Sequence, residues 1–439
     1  MIKDFAPADL YLPARDIIRR LHAAGHEAYV AGGAVRDYLL GRPQTDLDIA
    51  TSATPIEVRA LFRRTFPVGE SFGVIVVQSR GHAFDVATFR EERDYPDGRH
   101  PDGVCFSTAQ ADVARRDFTI NGLFWDTERE EVLDWVGGRA DIAARVIRTI
   151  GPPAERFGED RLRMLRAVRF AAQLDFALDE GTLAAIREQA GHLSVVSLER
   201  VRQELDKLLA SPGAARGLDL LASSGLRAVL TDWLRREACR PARGSDLLLG
   251  PEPRDAWTQA WLAAREAIPP AAGAPLPVGL VCLLLDMAGF PAESWTPAVE
   301  RLRQAALEGL MRALRGSRVE VALARSTAQL ICRLAEFRAC RLADQLRLLR
   351  LPECPGLLAV ARQHPGFGRM PFADMAEVVA RYATRWHPPV LIKGDQLLRM
   401  GFPAGPAMGA LLEALETEQL EGRLETPEEA QAWLREKLP

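Results

Sequence analysis

The hydrophobic pattern of this chain changes period once, and that change limits the folds open to it. Up to Gly151-Pro152-Pro153, short apolar strands alternate with short helices. Beyond it, apolar residues recur at helical spacing nearly to the end. The expectation is a small mixed α/β head followed by an all-α remainder. In the head, Glu27 to Ala31 reads as a strand, Gly32-Gly33 as a turn, and Val35 to Leu40 as the start of a helix. Thr54-Pro55-Ile56-Glu57 is a capping box with proline at the first helical position, predicting a helix to about Arg64. Val74 to Gln78 and Ala83 to Phe89 predict strands joined by a hairpin at Ser79-Arg80-Gly81, and Glu130 to Trp135 predicts another. Glu91 to Gly103 is charged and carries Pro and Gly, the pattern of a mobile loop. After the proline pair, Glu159 to Leu174 predicts one continuous helix, with loop-like breaks at 240–254, 268–277, 352–356 and 387–389.

A length of 439 residues allows about three domains. With 48% apolar and 26% charged residues, the composition is that of a globular protein. The first residues carry Asp4, Asp9 and Asp16 and lack a signal-peptide layout. The apolar run Pro275 to Leu285 is too short to span a bilayer, so a cytoplasmic protein without a membrane partner is expected. The six cysteines show no CxxC pair and the seven histidines no cluster, which predicts reduced core thiols and disfavours His- or Cys-based catalysis. The net charge of −3 is unevenly spread. Residues 301–350 hold eleven Arg against four acids, and residues 401–439 hold eight Glu against three basic residues. The basic stretch is a candidate phosphate track.

Three features of the chain suit phosphate chemistry. Gly32-Gly33-Ala34-Val35-Arg36-Asp37 is a glycine turn opening a helix, where amides approach a phosphate closely and Arg36 could pair with its oxygens. It is equally a tight turn with no ligand. In Asp46-Leu47-Asp48, strand alternation projects both carboxylates from one face. Two close like charges call for cations between them, and hard oxygen ligands suit Mg²⁺. Two such ions serve an in-line displacement at phosphorus. Asp85, in Phe84-Asp85-Val86, either adds a third carboxylate or is an exposed strand residue. On the Glu159–Leu174 helix, Asp160, Arg163, Arg166 and Arg169 recur every third residue. They form either a solvated face or a row of donors for triphosphate and RNA.

In order along the chain, YVAGGAVRDYLLG (29–41), TDLDIAT (45–51), DVATFR (85–90), ARRDFTINGLF (114–124), DWVGGRADI (134–142), RFGEDRLRMLRAVRF (156–170) and VSLERVRQELDKLL (196–209) resemble the class II tRNA nucleotidyltransferase family. That family includes CCA-adding, A-adding and CC-adding enzymes and bacterial poly(A) polymerases. The resemblance implies an α/β, polymerase β-like nucleotidyltransferase head at 1–150. It further implies a helical neck at 151–225 with a nucleotide-templating helix, a helical body at 226–350 and a helical tail at 351–439 that docks tRNA. It implies that Gly33 and Arg36 contact the incoming nucleotide, that Asp46 and Asp48 bind two Mg²⁺ ions, and that Asp85 is the third catalytic acid. Arg116 would bind triphosphate, and Asp160 and Arg163 would template ATP and CTP. Arg166 and Arg169 would complete the nucleotide pocket. The implied reaction is attack of a tRNA 3′-hydroxyl on the α-phosphate of ATP or CTP with release of pyrophosphate.

The implied product is CCA or the terminal A. Poly(A) addition is the alternative, and a non-catalytic RNA-binding homologue a more distant one. Glu91 to Ala114 has the full length that CC-adding members lack, and Phe66-Pro67-Val68-Gly69-Glu70-Ser71-Phe72-Gly73 is closer to the tRNA enzymes than to the poly(A) polymerases. Some relatives carry a phosphohydrolase LLHD motif. Here Leu284-Leu285-Asp286 has leucine in the histidine position, so that activity is not expected.

Overall fold

The computed structural model describes residues 5–67, 73–93, 103–239, 256–264, 278–288, 297–351, 354–364, 372–382 and 388–437. Contacts divide the chain into two units, Met1–Trp233 and Leu234–Pro439. The first begins with α1 (Ala8–Ala23), β1 (Ala28–Ala31), α2 (Gly33–Leu39), β2 (Asp48–Thr51), α3 (Pro55–Leu61), β3 (Thr65–Phe66), β4 (Val74–Ser79) and β5 (His82–Thr88). Then come β6 (Arg90–Arg93), β7 (Gly103–Phe106), α4 (Ala109–Ala114), β8 (Leu123–Asp126), β9 (Glu131–Asp134), α5 (Gly138–Ala144) and β10 (Val146–Ile147). Seven strands make one mixed sheet in the order β3-β4-β5-β2-β1-β8-β9. Within this sheet, among the described residues, only β2 and β5 run parallel, with Ile49 opposite Val86.

Local chemistry sets these elements. The Thr54 hydroxyl accepts from Glu57 N, while the Glu57 carboxylate accepts from Thr54 N at 2.8 Å. With Pro55 at the first turn, α3 starts where the capping box predicts. It ends at Leu61 rather than near Arg64, because Phe62 turns extended and buries its ring. The β4–β5 hairpin closes with Ser79 opposite His82, through Arg80 (φ 49°) and Gly81 (φ 89°). Such a left-handed pair matches the strand twist, although an arginine bears strain there that glycine does not. Strand β8 carries no alternation, since all four residues are buried. Of the expected loop at Glu91 to Gly103, residues 94–102 lie outside the described residues, and its ends pair as β6 and β7. The 66–73 stretch is likewise outside at 68–72.

Past Gly151 follow α6 (Pro153–Glu159), α7 (Arg163–Leu174), β11 (Ala177–Leu178), α8 (Glu180–Gln189), α9 (Leu198–Ala210), α10 (Ala214–Ser223) and α11 (Leu226–Cys239). The single helix expected over Glu159 to Leu174 is broken. Asp160 is extended (φ −142°, ψ 106°), so it does not share a helical stripe with Arg163, Arg166 and Arg169. The cause is its carboxylate, which accepts from Leu162 N at 3.0 Å and from Arg200 of α9 at 2.7 Å. Nor is α7 a solvated face, for Arg163 and Arg169 are 8% and 6% exposed. Strand β10 pairs in parallel with β11, tying the segment before Gly151 to the one after it.

The second unit is helical among its described residues. It comprises α12 (Ala256–Ala264), α13 (Val278–Ala288), α14 (Pro297–Ala313), α15 (Arg318–Ala335), α16 (Leu342–Leu349), α17 (Cys354–Gln363), α18 (Phe372–Arg381), α19 (Gly394–Arg399), α20 (Pro406–Leu420) and α21 (Pro427–Arg435). Buried Asp286 of α13 accepts from Trp257 N at 3.0 Å and Thr258 N at 2.7 Å, capping α12 from a neighbouring helix. A separate cluster around Ile392, Leu397, Leu415 and Leu434 packs α19 to α21. The basic stretch is partly spent internally. Arg347 and Arg350 bind Glu416 of the acidic stretch, Arg338 binds Asp374, and Arg341 binds Asp344. The breaks at 240–254 and 268–277 lie outside the described residues. No helix among the described residues is long and apolar enough to cross a membrane. Cys282, Cys340 and Cys354 are free thiols, the first and last of them buried.

Candidate active site

The chain leaves β1 at Ala31 and turns through Gly32 (φ 70°, ψ −123°) into α2. A Cβ on Gly32 would strain the backbone and sit 3.1 Å from Arg116 Nη1, so glycine is what lets that guanidinium lie against the turn. Arg36 is buried rather than free. Its Nε and Nη2 donate to the Asp37 carboxylate at 2.9 and 2.8 Å, and its Nη1 to Asn121 Oδ1 at 2.7 Å.

Across from this turn stand the carboxylates. Asp46 precedes β2 and Asp48 opens it, and their side chains are exposed while Leu47 and Ile49 are buried. The alternation of the Asp-Leu-Asp segment thus persists beyond the strand itself. Asp48 reaches solvent, yet burial of its surroundings first, then the charges of Asp46 and Asp85, push its pKa up to about 6. Arg116 opposes that rise. Among the described residues no three His, Cys, Asp or Glu side chains converge on one metal position. A mutually repelling pair is nonetheless what Mg²⁺ needs, since it keeps waters and shares its shell with phosphate oxygens.

The cationic wall comes from α4 onward. Arg115 and Arg116 both bind buried Asp112, Arg116 through Nε at 3.2 Å and Nη2 at 2.9 Å. Burial of Asp112 favours its neutral form, but the two guanidiniums outweigh this and hold its carboxyl below the usual range. Asp117 works the same way. Despite burial it is held low by Arg166, whose Nε and Nη2 donate at 2.9 and 2.6 Å, by Asn121 and by Phe118 N. Asp117 in turn, against the desolvation of the guanidinium, raises the pKa of Arg166. Arg163 donates to Glu159, to the Arg156 carbonyl and to the Arg115 carbonyl, the last two at 3.1 Å. Arg169 binds Glu204, which also faces Arg166 at 3.6 Å.

These groups frame one open cleft of about 670 Å³. Of the residues singled out from sequence, Gly33, Arg36, Asp46, Asp48, Arg116, Asp160, Arg163 and Arg166 line it. Asp85 and Arg169 do not. Asp85 acts on Asp48 through charge, and Arg169 lies on Glu204 outside the lining. Arg115, Asp117, Asn121, Phe170 and Lys207 also line the cleft and were not assigned roles from sequence. Asp112 and Arg116 carry a signal in their spacing, because residues four apart at a helix end face each other. Glu204 carries none, being 35 residues from Arg169.

Residues 28–148 match the Poly A polymerase head domain, and 175–232 match the probable RNA and SrmB-binding site of polymerase A. A CCA-adding enzyme of Geobacillus thermodenitrificans is 46% identical over 260 residues, 58% of this chain and 60% of that protein. A CCA-adding enzyme of Geobacillus kaustophilus is 50% identical over 218 residues, 49% and 54% of the two chains. The matched part thus spans between half and three fifths of these relatives. The crystal structure of the Bacillus stearothermophilus CCA-adding enzyme in complex with CTP superposes with a TM-score of 0.65 at 31% identity, covering 97% of each chain. The Thermotoga maritima CCA-adding enzyme complexed with tRNA gives 0.59 at 19% identity, over 97% of this chain and 94% of that one, a likeness of fold alone.

Proposed function

Because the chain belongs to the family of the CCA-adding enzymes, whose head domain is shared with poly(A) polymerases, we propose that it adds CCA, or its terminal A, to the 3′ end of tRNA. The observation that carries this reading is the cleft itself, where the Asp46–Asp48 pair faces Arg115, Arg116, Arg163 and Arg166. An acidic edge opposite a cationic wall suits a triphosphate with its divalent cation.

On this reading Asp46 and Asp48 hold Mg²⁺, with Asp85 supporting their charge. When bound, the ions polarise the α-phosphate and neutralise charge on the leaving pyrophosphate. Arg116 and Arg166 take the triphosphate oxygens, each already aimed by a buried carboxylate, so little ordering is left for the moment of binding. Arg36 is spent on Asp37 and Asn121 through three of its donors, and we assign it to holding the Gly32–Gly33 turn as much as to the ligand. Asp160 and Arg163 supply an acceptor and a donor for a base edge, fixed respectively by Arg200 and by Glu159. The RNA 3′-hydroxyl gives up its proton to solvent as its oxygen bonds to the α-phosphorus of ATP or CTP, and the bond from that phosphorus to the bridging oxygen breaks to release pyrophosphate. On this reading the chain divides at 150, 225 and 350 into head, neck, body and tail, and the helical second half docks tRNA.

The test incubates the protein with Mg²⁺, ATP with or without CTP, and tRNA ending before, within or after CC. Completion of CCA from CTP and ATP is expected. A single A on CC-ended tRNA alone would narrow the activity to A addition, and long A tails on unrelated RNA would replace the reading by poly(A) polymerase. No incorporation on any RNA would overturn it.

A further inference from the structure

The head carries a second concentration of guanidinium groups that the transfer cleft does not use. Two adjoining clefts, of about 590 and 600 Å³, share Arg20, Phe62 and Arg63. Arg19, Arg64 and Arg80 line the first, and Arg59 the second. Asp16 is the one acid among these lining residues, and it is taken by Arg80 at 2.6 Å. The contrast with the transfer cleft is what matters. There Arg36, Arg115, Arg116, Arg163 and Arg166 each hold a carboxylate. Here Arg19, Arg20, Arg63 and Arg64 are exposed, with no acid partner among the described residues, and Arg20 rests on the Phe62 ring.

Position separates this patch from the carboxylates. Val77 lines the first cleft with Ile17 of α1 and Phe62, and Val77 stands opposite Phe84 in the β4–β5 ladder. Phe84 therefore points to the face covered by α1 and α3, and its neighbour Asp85 to the other. The arginines lie on the sheet face opposite the acidic residues. The hairpin tip adds to the case. Arg80 holds a left-handed backbone that glycine would adopt without strain, and its side chain reaches back over the patch to Asp16.

We propose that this patch binds the phosphodiester backbone of RNA at a stretch remote from the 3′ end in the transfer cleft. Unpaired guanidiniums repel each other unless anions lie between them, and their planar forks fit phosphate oxygens two at a time. Two contiguous clefts suit successive phosphates of a chain better than a single small anion. The choice of RNA as occupant rests on the function proposed above.

The test uses the full chain with Arg19→Glu, Arg63→Glu and Arg64→Glu together, none of which belongs to the transfer cleft. Binding of a tRNA transcript lacking CCA is measured against salt concentration, without turnover. The Kd should rise about tenfold near physiological salt, and the log–log salt slope should shrink by about two, as for three lost phosphate contacts. Affinity for ATP and the thermal midpoint should not change, and the Arg→Gln triple variant should fall between. An unchanged slope would overturn the proposal. So would equal loss of ATP affinity, or inorganic phosphate binding here without effect on RNA. A protein that shows the slope change yet transfers no nucleotide would remove the proposed function and leave this patch standing.

Discussion

Asp48 concentrates the electrostatics of the cleft in a single carboxyl group. Its folded pKa, about 6, lies above the unfolded value. The folded state therefore holds more protons between those two values, and this group's contribution to stability falls as pH rises through that window. Without divalent cations, the thermal midpoint of the wild type should drop more between pH 4.5 and 6.5 than that of Asp48→Asn, by about a few degrees. Mg²⁺ at pH 7.5 should raise the midpoint of the wild type and leave the variant nearly unmoved. Equal Mg²⁺ shifts in both proteins would remove the metal assignment. Arg163→Ala should loosen the choice between ATP and CTP by about tenfold or more, with a smaller effect on RNA affinity. An unaltered ATP/CTP ratio would count against its place at the base edge. At this scale the sequence showed the acidic pair, because alternation about Leu47 is local. It hid Asp117 and Glu204 as the groups that aim Arg166, because those partners are 49 and 38 positions away and no spacing rule reaches them.

Among the elements, α7 shows where local reading stops. From Glu159 to Leu174 the apolar spacing is continuous, and nothing in it marks a break. The break comes from the Asp160 carboxylate, which accepts from Leu162 N two residues on and is held there by Arg200 of α9, a partner that the spacing does not show. The capped α3 and the β4–β5 hairpin, by contrast, were legible because a capping box and a two-residue turn are complete within a few residues. Tight packing against α7 gives a direct check of the arrangement. A Cβ on Gly213, just before α10, would lie 2.0 Å from the Ala172 carbonyl oxygen of α7. Gly213→Ala should therefore cost about 1–3 kcal/mol, read as a lower urea midpoint at unchanged slope. A midpoint equal to that of the wild type would contradict the contact. The same logic applies in the second unit. Asp286→Ala strips two backbone donors of α12 of their acceptor and should cost about 1–3 kcal/mol, without altering ATP affinity.

For the whole molecule, the change of period at Gly151 was a sound guide to architecture, since a mixed sheet lies on one side of it and helices dominate the other. Packing runs on across it. Strand β10 before it pairs with β11 after it, and the first compact unit runs on to Trp233. The uneven charge of the sequence also changes meaning once folded. Arg347 and Arg350 of the basic stretch are answered by Glu416 of the acidic one, whereas Arg19, Arg20, Arg63 and Arg64 about Phe62 meet no acid among the described residues although no long charge run marks them. On the proposed function, the acidic pair and the arginine wall together transfer nucleotides to an RNA end. The measurement that meets it directly is incorporation of α-labelled CTP and ATP into tRNA lacking CCA, by the wild type and by Asp48→Ala, with RNA binding followed in parallel. CCA addition is expected from the wild type and a loss of about a thousand-fold or more from the variant, at nearly unchanged RNA affinity. Transfer surviving in Asp48→Ala at the wild-type rate would contradict it.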